Sequence, residues 1–237
     1  MLPLSLPSAS SRRPQILCIG AHCDDIEIGC GGAILSLQRC YPGCRIHWLV
    51  LTSVPTRRRE ALAAANDFVK ASARGEVRIG ELADGLLPAH FAEVKAQFED
   101  LKRAVEPDLI LTHHGLDRHQ DHALACQVTW QTFRNHLIWE YEVPKYDGDL
   151  STPNLYVPLS AAVARRKVDA VVRAFPSQRA KTWFSAENLL ATMRLRGLES
   201  RSRSGYAEAF HARKLVFDVA PGAKAPARTR GGDGGRS

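Results

Sequence analysis

The stretch QILCIGAHCDDIEIGCGG, residues 15–32, determines how the rest of the chain is interpreted. Its first six residues are mostly apolar and include branched side chains, which is typical of a buried strand. A histidine, two adjacent aspartates and three glycines follow within the next twelve residues. Two kinds of site begin in this way: a glycine-rich turn that binds phosphate, and one half of a metal site.

The remainder of the chain alternates strand and helix patterns. Strands are predicted at residues 15–21, 45–51, 76–82 and 108–114, and helices at 32–39, 57–71, 88–106 and 121–135. Repeated strand–helix units imply right-handed crossovers between parallel strands. The predicted fold class is therefore α/β, a Rossmann-like three-layer sandwich with a mostly parallel sheet. Beyond residue 137 the pattern is less regular, with strands expected at 138–144 and 154–159 and helices at 160–174 and 186–195.

A chain of 237 residues suits one domain. We predict a single domain at residues 15–219, a flexible arm at 1–14, and a disordered tail at 220–237 that is rich in Gly, Ala and Pro. No apolar run approaches the roughly 18 residues of a membrane span, and the first residues have the wrong charge order for a secretory signal. A cytoplasmic location without a membrane partner is the expectation, and homo-oligomer formation is left open.

The formal net charge of +7 lies mostly at the two ends of the chain. The tail contributes +3 and the pair Arg12 and Arg13 contributes +2, which leaves the body of the chain near +2. No basic stripe with interleaved aromatic residues accompanies this charge. We therefore expect a small-molecule partner and no nucleic-acid partner.

The phosphate interpretation of the glycines is disfavoured. A dinucleotide-binding turn needs the pattern G-x-G-x-x-G directly after the strand. Here eight residues separate Gly20 from Gly29, and two of them are aspartates that would repel a pyrophosphate. No Gly-Lys-Ser/Thr sequence of a P-loop is present either. The glycines are instead interpreted as forming a tight loop that leads into the helix.

The metal interpretation draws on two polar clusters. AHCDD, residues 21–25, follows the first predicted strand, and HHGLDRHQDH, residues 113–122, ends the fourth. Ligands of parallel sheets bind beyond the carboxyl ends of the strands, so both clusters belong to the same edge. A catalytic zinc ion takes three ligands from His, Asp, Glu or Cys and leaves one position for water. The sequence therefore predicts a metal site at this edge.

The two clusters resemble the His-Pro-Asp-Asp and His-x-Asp-His motifs of the PIG-L/LmbE-like zinc-dependent de-N-acetylases, a family of N-acetylglucosaminyl deacetylases. The likeness extends to RRRE from Arg57, to Ser177 and Gln178, and to YAEAF from Tyr206. It implies a hydrolase acting on a linear amide C–N bond. The expected substrate is a GlcNAc-type sugar conjugate, from which a zinc-activated water molecule removes the N-acetyl group.

The resemblance assigns roles by position. One Zn²⁺ ion per chain, or another divalent metal, would be bound by His22, Asp25 and His122. Asp24 takes the place of the general base, and His119 that of the general acid, which stabilises charge and protonates the leaving amine. Asp121 would orient a neighbouring histidine.

Several positions are left open by the sequence. Arg57 matches a substrate-contacting arginine, although Arg58 and Arg59 make this register uncertain. Cys23 replaces the usual proline and is interpreted as a small residue that fills the loop, with a metal-ligand role as the alternative. Glu208 could reach the pocket, or it could have a helix-capping or structural role. Either of the two adjacent histidines His113 and His114 could face the site.

Two other functions compete with N-deacetylation of a sugar. One is a zinc amidase that acts on a larger N-acyl group or a thiol-sugar conjugate. The other is a sugar- or nucleotide-binding protein without catalysis, which would need neither a base at Asp24 nor an acid at His119. Three aromatic residues are candidates for stacking on a sugar ring: Trp139, Tyr141 and Tyr146.

Overall fold

The computed structural model describes residues 13–216, so the tail predicted at 220–237 and most of the predicted N-terminal arm lie outside the described residues. The strands are β1 (Gln15–Gly20), β2 (Arg45–Thr52), β3 (Ala73–Leu82), β4 (Leu109–His113), β5 (Ile138–Tyr141), β6 (Leu155–Leu159) and β7 (Tyr206–His211). The helices are α1 (Asp25–Cys40), α2 (Pro55–Val69), α3 (Phe91–Ala104), α4 (Gln120–Thr132), α5 (Ala161–Ala174) and α6 (Ala186–Glu199). Short 3₁₀ turns lie at Leu87–His90 and Pro176–Gln178.

The strands form one sheet in the order β3-β2-β1-β4-β5-β7-β6. Strands β1 to β5 pair in parallel, whereas β7 pairs antiparallel with both β5 and β6. The predicted α/β class with a mostly parallel sheet and helices on both faces is confirmed. Because β1 lies between β2 and β4, the chain changes direction across the sheet at the β1–β4 pair. This is the position at which open parallel sheets bind ligands.

The core consists of two apolar clusters on opposite faces of the sheet. Along β1, Ile16 and Cys18 belong to one cluster, and Leu17 and Ile19 to the other. Alternate residues of a strand point to opposite faces, so β1 is buried on both sides. The two polar clusters therefore stand at the ends of rigid, fully covered strands. Within residues 13–216, no helix has both the length and the apolar character that a membrane crossing requires.

The glycines of GCGG do not form a loop, and this part of the sequence interpretation is wrong. Helix α1 begins at Asp25, seven residues before the predicted start, and includes all three glycines. A Cβ atom at Gly29 would overlap the ring of Tyr141, and one at Gly32 would lie 2.5 Å from Cδ1 of Leu159. The glycines thus allow the sheet to approach the helix closely.

Strand β7 is the other element that the sequence pattern did not predict. It lies between β5 and β6 and carries Glu208, which is only 4% exposed. Glu208 obscures the alternating pattern of this strand, because a charged residue is normally expected on the solvent side of a strand. Its contacts lie with α1 and are described below.

Gly29→Ala tests the close packing of α1. An alanine inside a helix ordinarily stabilises it by about 1 kcal/mol relative to glycine. Here we expect the reverse, a loss of about 1–3 kcal/mol in the free energy of unfolding, because the new methyl group overpacks against Tyr141. Urea-induced unfolding measures this change. In a Tyr141→Ala background the loss should shrink, and a stabilised Gly29→Ala protein would contradict the packing.

Candidate metal centre and active site

The three predicted metal ligands lie together at the carboxyl edge of the sheet. Nδ1 of His22 is 3.1 Å from Nε2 of His122 and 3.3 Å from Oδ2 of Asp25. Nε2 of His122 is 3.5 Å from Oδ1 of Asp25. Ligand atoms at the vertices of a tetrahedral zinc site, each at roughly 2.1 Å from the ion, are about 3.4 Å apart. The spacing of these donor atoms therefore fits a zinc-sized ion.

The second ring nitrogen of each histidine contacts a carboxylate. Nδ1 of His122 donates to Oδ2 of Asp117 at 2.9 Å, and Nε2 of His22 donates to Oδ2 of Asp121 at 3.2 Å. In the neutral imidazoles these bonds fix the tautomers, which leaves the lone pairs on the opposite nitrogens, beside Asp25. Carboxylate partners of this kind are typical of metal-binding histidines. The donor set therefore fits a divalent metal in chemistry as well as in spacing.

Backbone groups hold both of these carboxylates in place. Asp121 accepts hydrogen bonds from the N–H groups of Gly85 and Leu87 at 2.7 and 3.0 Å. Asp117 accepts from the N–H of His119 at 2.8 Å and pairs with Lys145 at 3.0 Å. Since neither carboxylate can rotate freely, the two imidazole rings are fixed in turn.

Asp117 was not identified from the sequence, although it lies within the second polar cluster. The resemblance directed attention to Asp121 as the residue that orients a histidine. The structure gives each aspartate a different histidine, with Asp117 on His122 and Asp121 on His22. The available signal was a carboxylate in the loop five residues before His122. Asp84, also not identified, is exposed and lies 3.0 Å from Nε2 of His22.

The carboxylates of the cluster raise the pKa of two of its histidines, His22 and His122, above the usual value. Burial alone would lower the pKa of His122, but the carboxylates of Asp25 and Asp117 raise it to about 9. Burial would likewise raise the pKa of Asp25, yet the neighbouring histidines hold it well below its usual value. A bound cation would replace these protons, because metal binding requires the neutral imidazole and the carboxylate.

The adjacent residues His113 and His114 face opposite sides, as expected at the end of a strand. Nε2 of His113 lies 2.9 Å from the backbone N of Ala21 and 3.1 Å from Oδ2 of Asp25. Its ring stacks on His122 at 3.9 Å between centroids. His114 instead contacts Glu140, 2.8 Å away. His113 is therefore the residue of this pair that faces the site.

The side chains that could share an ion also form groupings other than the predicted trio. Three overlapping groups have donor atoms within 4.8 Å of one another: His22 with His119 and His122, Asp25 with His113 and His122, and His22 with Asp84 and Asp121. Each group contains His22 or His122. These two residues therefore occupy the centre of the cluster.

Asp24 lies beside the trio with one carboxylate oxygen available. Its side chain is buried, and Oδ1 accepts a hydrogen bond from Nη2 of Arg57 at 2.6 Å. Oδ2 is buried and has no hydrogen-bond partner among the described residues. Burial raises the pKa of Asp24, and Arg57 partly offsets this effect. A carboxylate with one oxygen fixed and a raised pKa has the properties of a general base.

The arginine that faces the site is Arg57. Arg58 turns away and contacts the carbonyl oxygen of Ile79 at 2.8 Å. One turn later in α2, Glu60 accepts a hydrogen bond from Oγ of Ser177 at 2.5 Å. The RRRE motif and the Ser177–Gln178 pair, distant in sequence, thus meet beside the site.

His119 lies directly before helix α4 and caps its N-terminus. Its Nδ1 accepts a hydrogen bond from the N–H of Asp121 at 3.3 Å, so Nε2 carries the hydrogen. The ring lies 4.7 Å from those of His22 and His122. Burial and these two histidines lower the pKa of His119. Both effects favour the neutral imidazole over the imidazolium.

Cys23 packs away from the donor atoms. Its Sγ lies 3.5 Å from the carbonyl oxygen of Thr52, and burial raises the pKa of the thiol to about 12. A protonated thiol is a poor metal ligand. All six cysteines are free, and Cys40 is the exposed one.

The predicted stacking residues differ in accessibility. Tyr141 is fully buried and donates to the carbonyl oxygen of Ile19 at 2.6 Å, so it cannot stack on a sugar. Trp139 packs against Phe210 in the core. Tyr146 is 70% exposed and remains a candidate.

Known proteins are similar to this chain in the part that contains the candidate site. The family model of PIG-L, GlcNAc-PI de-N-acetylase, matches residues 17–133, which contain both polar clusters. "Uncharacterized deacetylase YaiS" of Escherichia coli (strain K12) is 29% identical over 160 residues, covering 61% of this chain and 82% of YaiS.

Solved structures share the fold at low sequence identity. N,N'-diacetylchitobiose deacetylase from Pyrococcus horikoshii is 18% identical with a TM-score of 0.65, covering 88% of this chain and 87% of its own. GalB, the 4-carboxy-2-hydroxymuconate hydratase from Pseudomonas putida KT2440, is also 18% identical, with a TM-score of 0.69 over 87% of this chain and 100% of GalB. One architecture thus serves two reactions. The two motifs and the family match over residues 17–133 together support a relationship of this chain to the PIG-L family of de-N-acetylases.

Proposed function

We propose that this protein is a zinc-dependent hydrolase that removes the N-acetyl group from a GlcNAc-type sugar conjugate. The observation that supports it most is the spacing of the donor atoms of His22, Asp25 and His122, at 3.1–3.5 Å from one another. Beside them stands Asp24, with one buried oxygen unpartnered among the described residues. A binding protein would need no such carboxylate.

In this proposal His22, Asp25 and His122 hold the metal. When bound, a divalent ion polarises the amide carbonyl and lowers the pKa of a water molecule to near neutrality. Asp24 would accept a proton through Oδ2, while Arg57 keeps Oδ1 in place. Arg57 lies close enough to this carboxylate to contact a polar group of the substrate as well.

The remaining steps use His119. Attack on the amide creates a negatively charged oxygen, to which the Nε2–H of His119 can donate a hydrogen bond. The C–N bond breaks only when the nitrogen gains a proton, because an amine anion is a poor leaving group. In this proposal His119 acts as the imidazolium: it gives its Nε2 proton to the amine and regains one from solvent after the products leave.

Substitution of His122 tests the metal assignment. Wild-type protein is expected to contain about one zinc ion per chain, and His122→Ala should lose it because two of the three ligands cannot hold the ion alone. Elemental analysis after dialysis against metal-free buffer measures the content. His114→Ala is the matched control, since this neighbouring histidine contacts Glu140 outside the centre. Equal zinc in wild type and His122→Ala would contradict the assignment.

Substitution of Asp24 separates metal binding from catalysis. Asp24→Asn should keep the zinc ion, because Asp24 is not among its ligands in this proposal. Its kcat should fall about 10²–10⁴-fold, the usual contribution of a general base. Amine release from N-acetylglucosamine derivatives measures the rate. Hydrolysis at the wild-type rate would remove Asp24 from the mechanism.

The same assay distinguishes the alternative functions. A series of glucosamine conjugates with N-acetyl and progressively larger N-acyl groups separates a deacetylase from a broader amidase. Preference for N-acetyl supports the proposal, and preference for a larger group favours the amidase. Bound zinc without turnover of any conjugate favours a binding protein.

The thiol of Cys23 is expected to be unreactive. In the folded protein a thiol reagent should modify one cysteine, Cys40, because the other five are buried. Cys40→Ser should abolish the labelling, as measured with a chromogenic disulfide. Cys23→Ala should retain zinc and activity. Loss of zinc in Cys23→Ala, or labelling of Cys23 in the native protein, would assign the thiol to the metal centre.

A further inference from the structure

A buried ion pair is hydrogen-bonded to the middle of helix α1, away from the metal centre. Lys167 of α5 and Glu208 of β7 are 2% and 4% exposed, and Nζ of Lys167 lies 2.6 Å from Oε1 of Glu208. Neither side chain has a role in the proposed chemistry. Because burying two charges is costly, their contacts require a structural reason.

Both members of the pair bind backbone groups of α1. Glu208 accepts hydrogen bonds from the N–H groups of Gly32 and Ala33 at 2.8 and 2.6 Å. Nζ of Lys167 donates to the carbonyl oxygen of Ile28 at 2.5 Å. Inside an α-helix these groups ordinarily bond along the helix itself. Here side chains from two other elements compete for them, and the absence of a side chain at Gly32 lets Glu208 approach.

This contact connects directly to the catalytic residues. The N–H of Ile28 donates to the carbonyl oxygen of Asp24 at 3.0 Å, which closes the first turn of α1. The carbonyl oxygen of the same residue is the one that Lys167 holds. A continuous series of hydrogen bonds therefore runs from the ion pair to Asp24 and to the start of the helix, where Asp25 begins α1.

We propose that the Lys167–Glu208 pair is a positioning device for the metal centre, fixing α1 where Asp25 meets His22 and His122. The inference rests on the proposed function. Lys167 and Glu208 touch neither the metal donors nor a substrate, so they act through the helix. Glu208 thereby takes a structural role, which was one of the alternatives that the sequence left open for it.

A second buried ion pair supplies a matched control. Arg196 and Glu142 form two hydrogen bonds at 2.8 and 2.9 Å. They line the same cavity of 20 Å³ as Lys167 and Glu208, which has room for about one water molecule. Their other hydrogen bonds among the described residues go to Glu199 and Ser151, not to α1. Removing this pair disturbs the core without releasing α1.

The test compares two double variants, Lys167→Met/Glu208→Gln and Arg196→Met/Glu142→Gln. Cobalt affinity, the visible absorption spectrum of the cobalt protein and hydrolysis rates are measured well below each unfolding midpoint. The first variant should bind cobalt about tenfold more weakly, as for other outer positioning groups. It should show an altered spectrum and a lower kcat with KM unchanged. The second should lose thermal stability but keep wild-type affinity and spectrum.

Wild-type affinity in the first variant, or equal loss in both, would overturn the inference while leaving the proposed function intact. A wild-type protein that binds no metal would overturn both. Should the first double variant not fold, Glu208→Asp shortens the carboxylate side chain and withdraws it from the helix. Glu142→Asp is then its control, and the same difference in cobalt affinity is expected.

Discussion

The buried carboxylate of Asp25 is the constraint on which the site depends. It is 4% exposed, accepts the N–H of His22 at 2.6 Å and faces three histidines from two segments of the chain. A buried carboxylate is stable only when charges and hydrogen bonds compensate it. Asp25 therefore joins the loop after β1 to the loop after β4. The order of the sheet strands and the anchoring of α1 both serve this junction.

The position of the site could be predicted from the sequence, because strand periodicity and residue type carry that information. Branched apolar residues marked β1 and β4, and parallel pairing placed the following loops at one edge. Which ring nitrogen faces Asp25 could not be predicted. That depends on Asp117 and Asp121, whose hydrogen-bond partners are distant backbone groups and histidines. Such partners are set by tertiary structure.

The glycines show where local sequence rules fail. Glycine is unfavourable inside a helix, so three of them near the strand suggested a loop. In α1, Gly29 and Gly32 are instead required by the approach of Tyr141, Leu159 and Glu208. Tertiary packing outweighs propensity at these positions. Strand β7 was hidden for a related reason, since its buried Glu208 has a partner that only the folded chain supplies.

The fold does not by itself decide the reaction, as its likeness to both a deacetylase and a hydratase shows. What favours amide hydrolysis is the combination of three closely spaced donor side chains, a buried carboxylate oxygen without a partner among the described residues, and a histidine ring beside them. These features come from the loop after β1 and from the starts of α1 and α4. Each is fixed by hydrogen bonds that leave its functional atom available.

X-ray absorption at the zinc edge of the purified, zinc-loaded protein tests the central claim most directly. The account predicts nitrogen and oxygen atoms only, about four in total at roughly 2.0–2.1 Å, with the outer-shell scattering of two imidazole rings. A sulfur atom at roughly 2.3 Å would place Cys23 in the coordination sphere and contradict the account. So would a shell without imidazole scattering, because it would remove His22 and His122 from the metal.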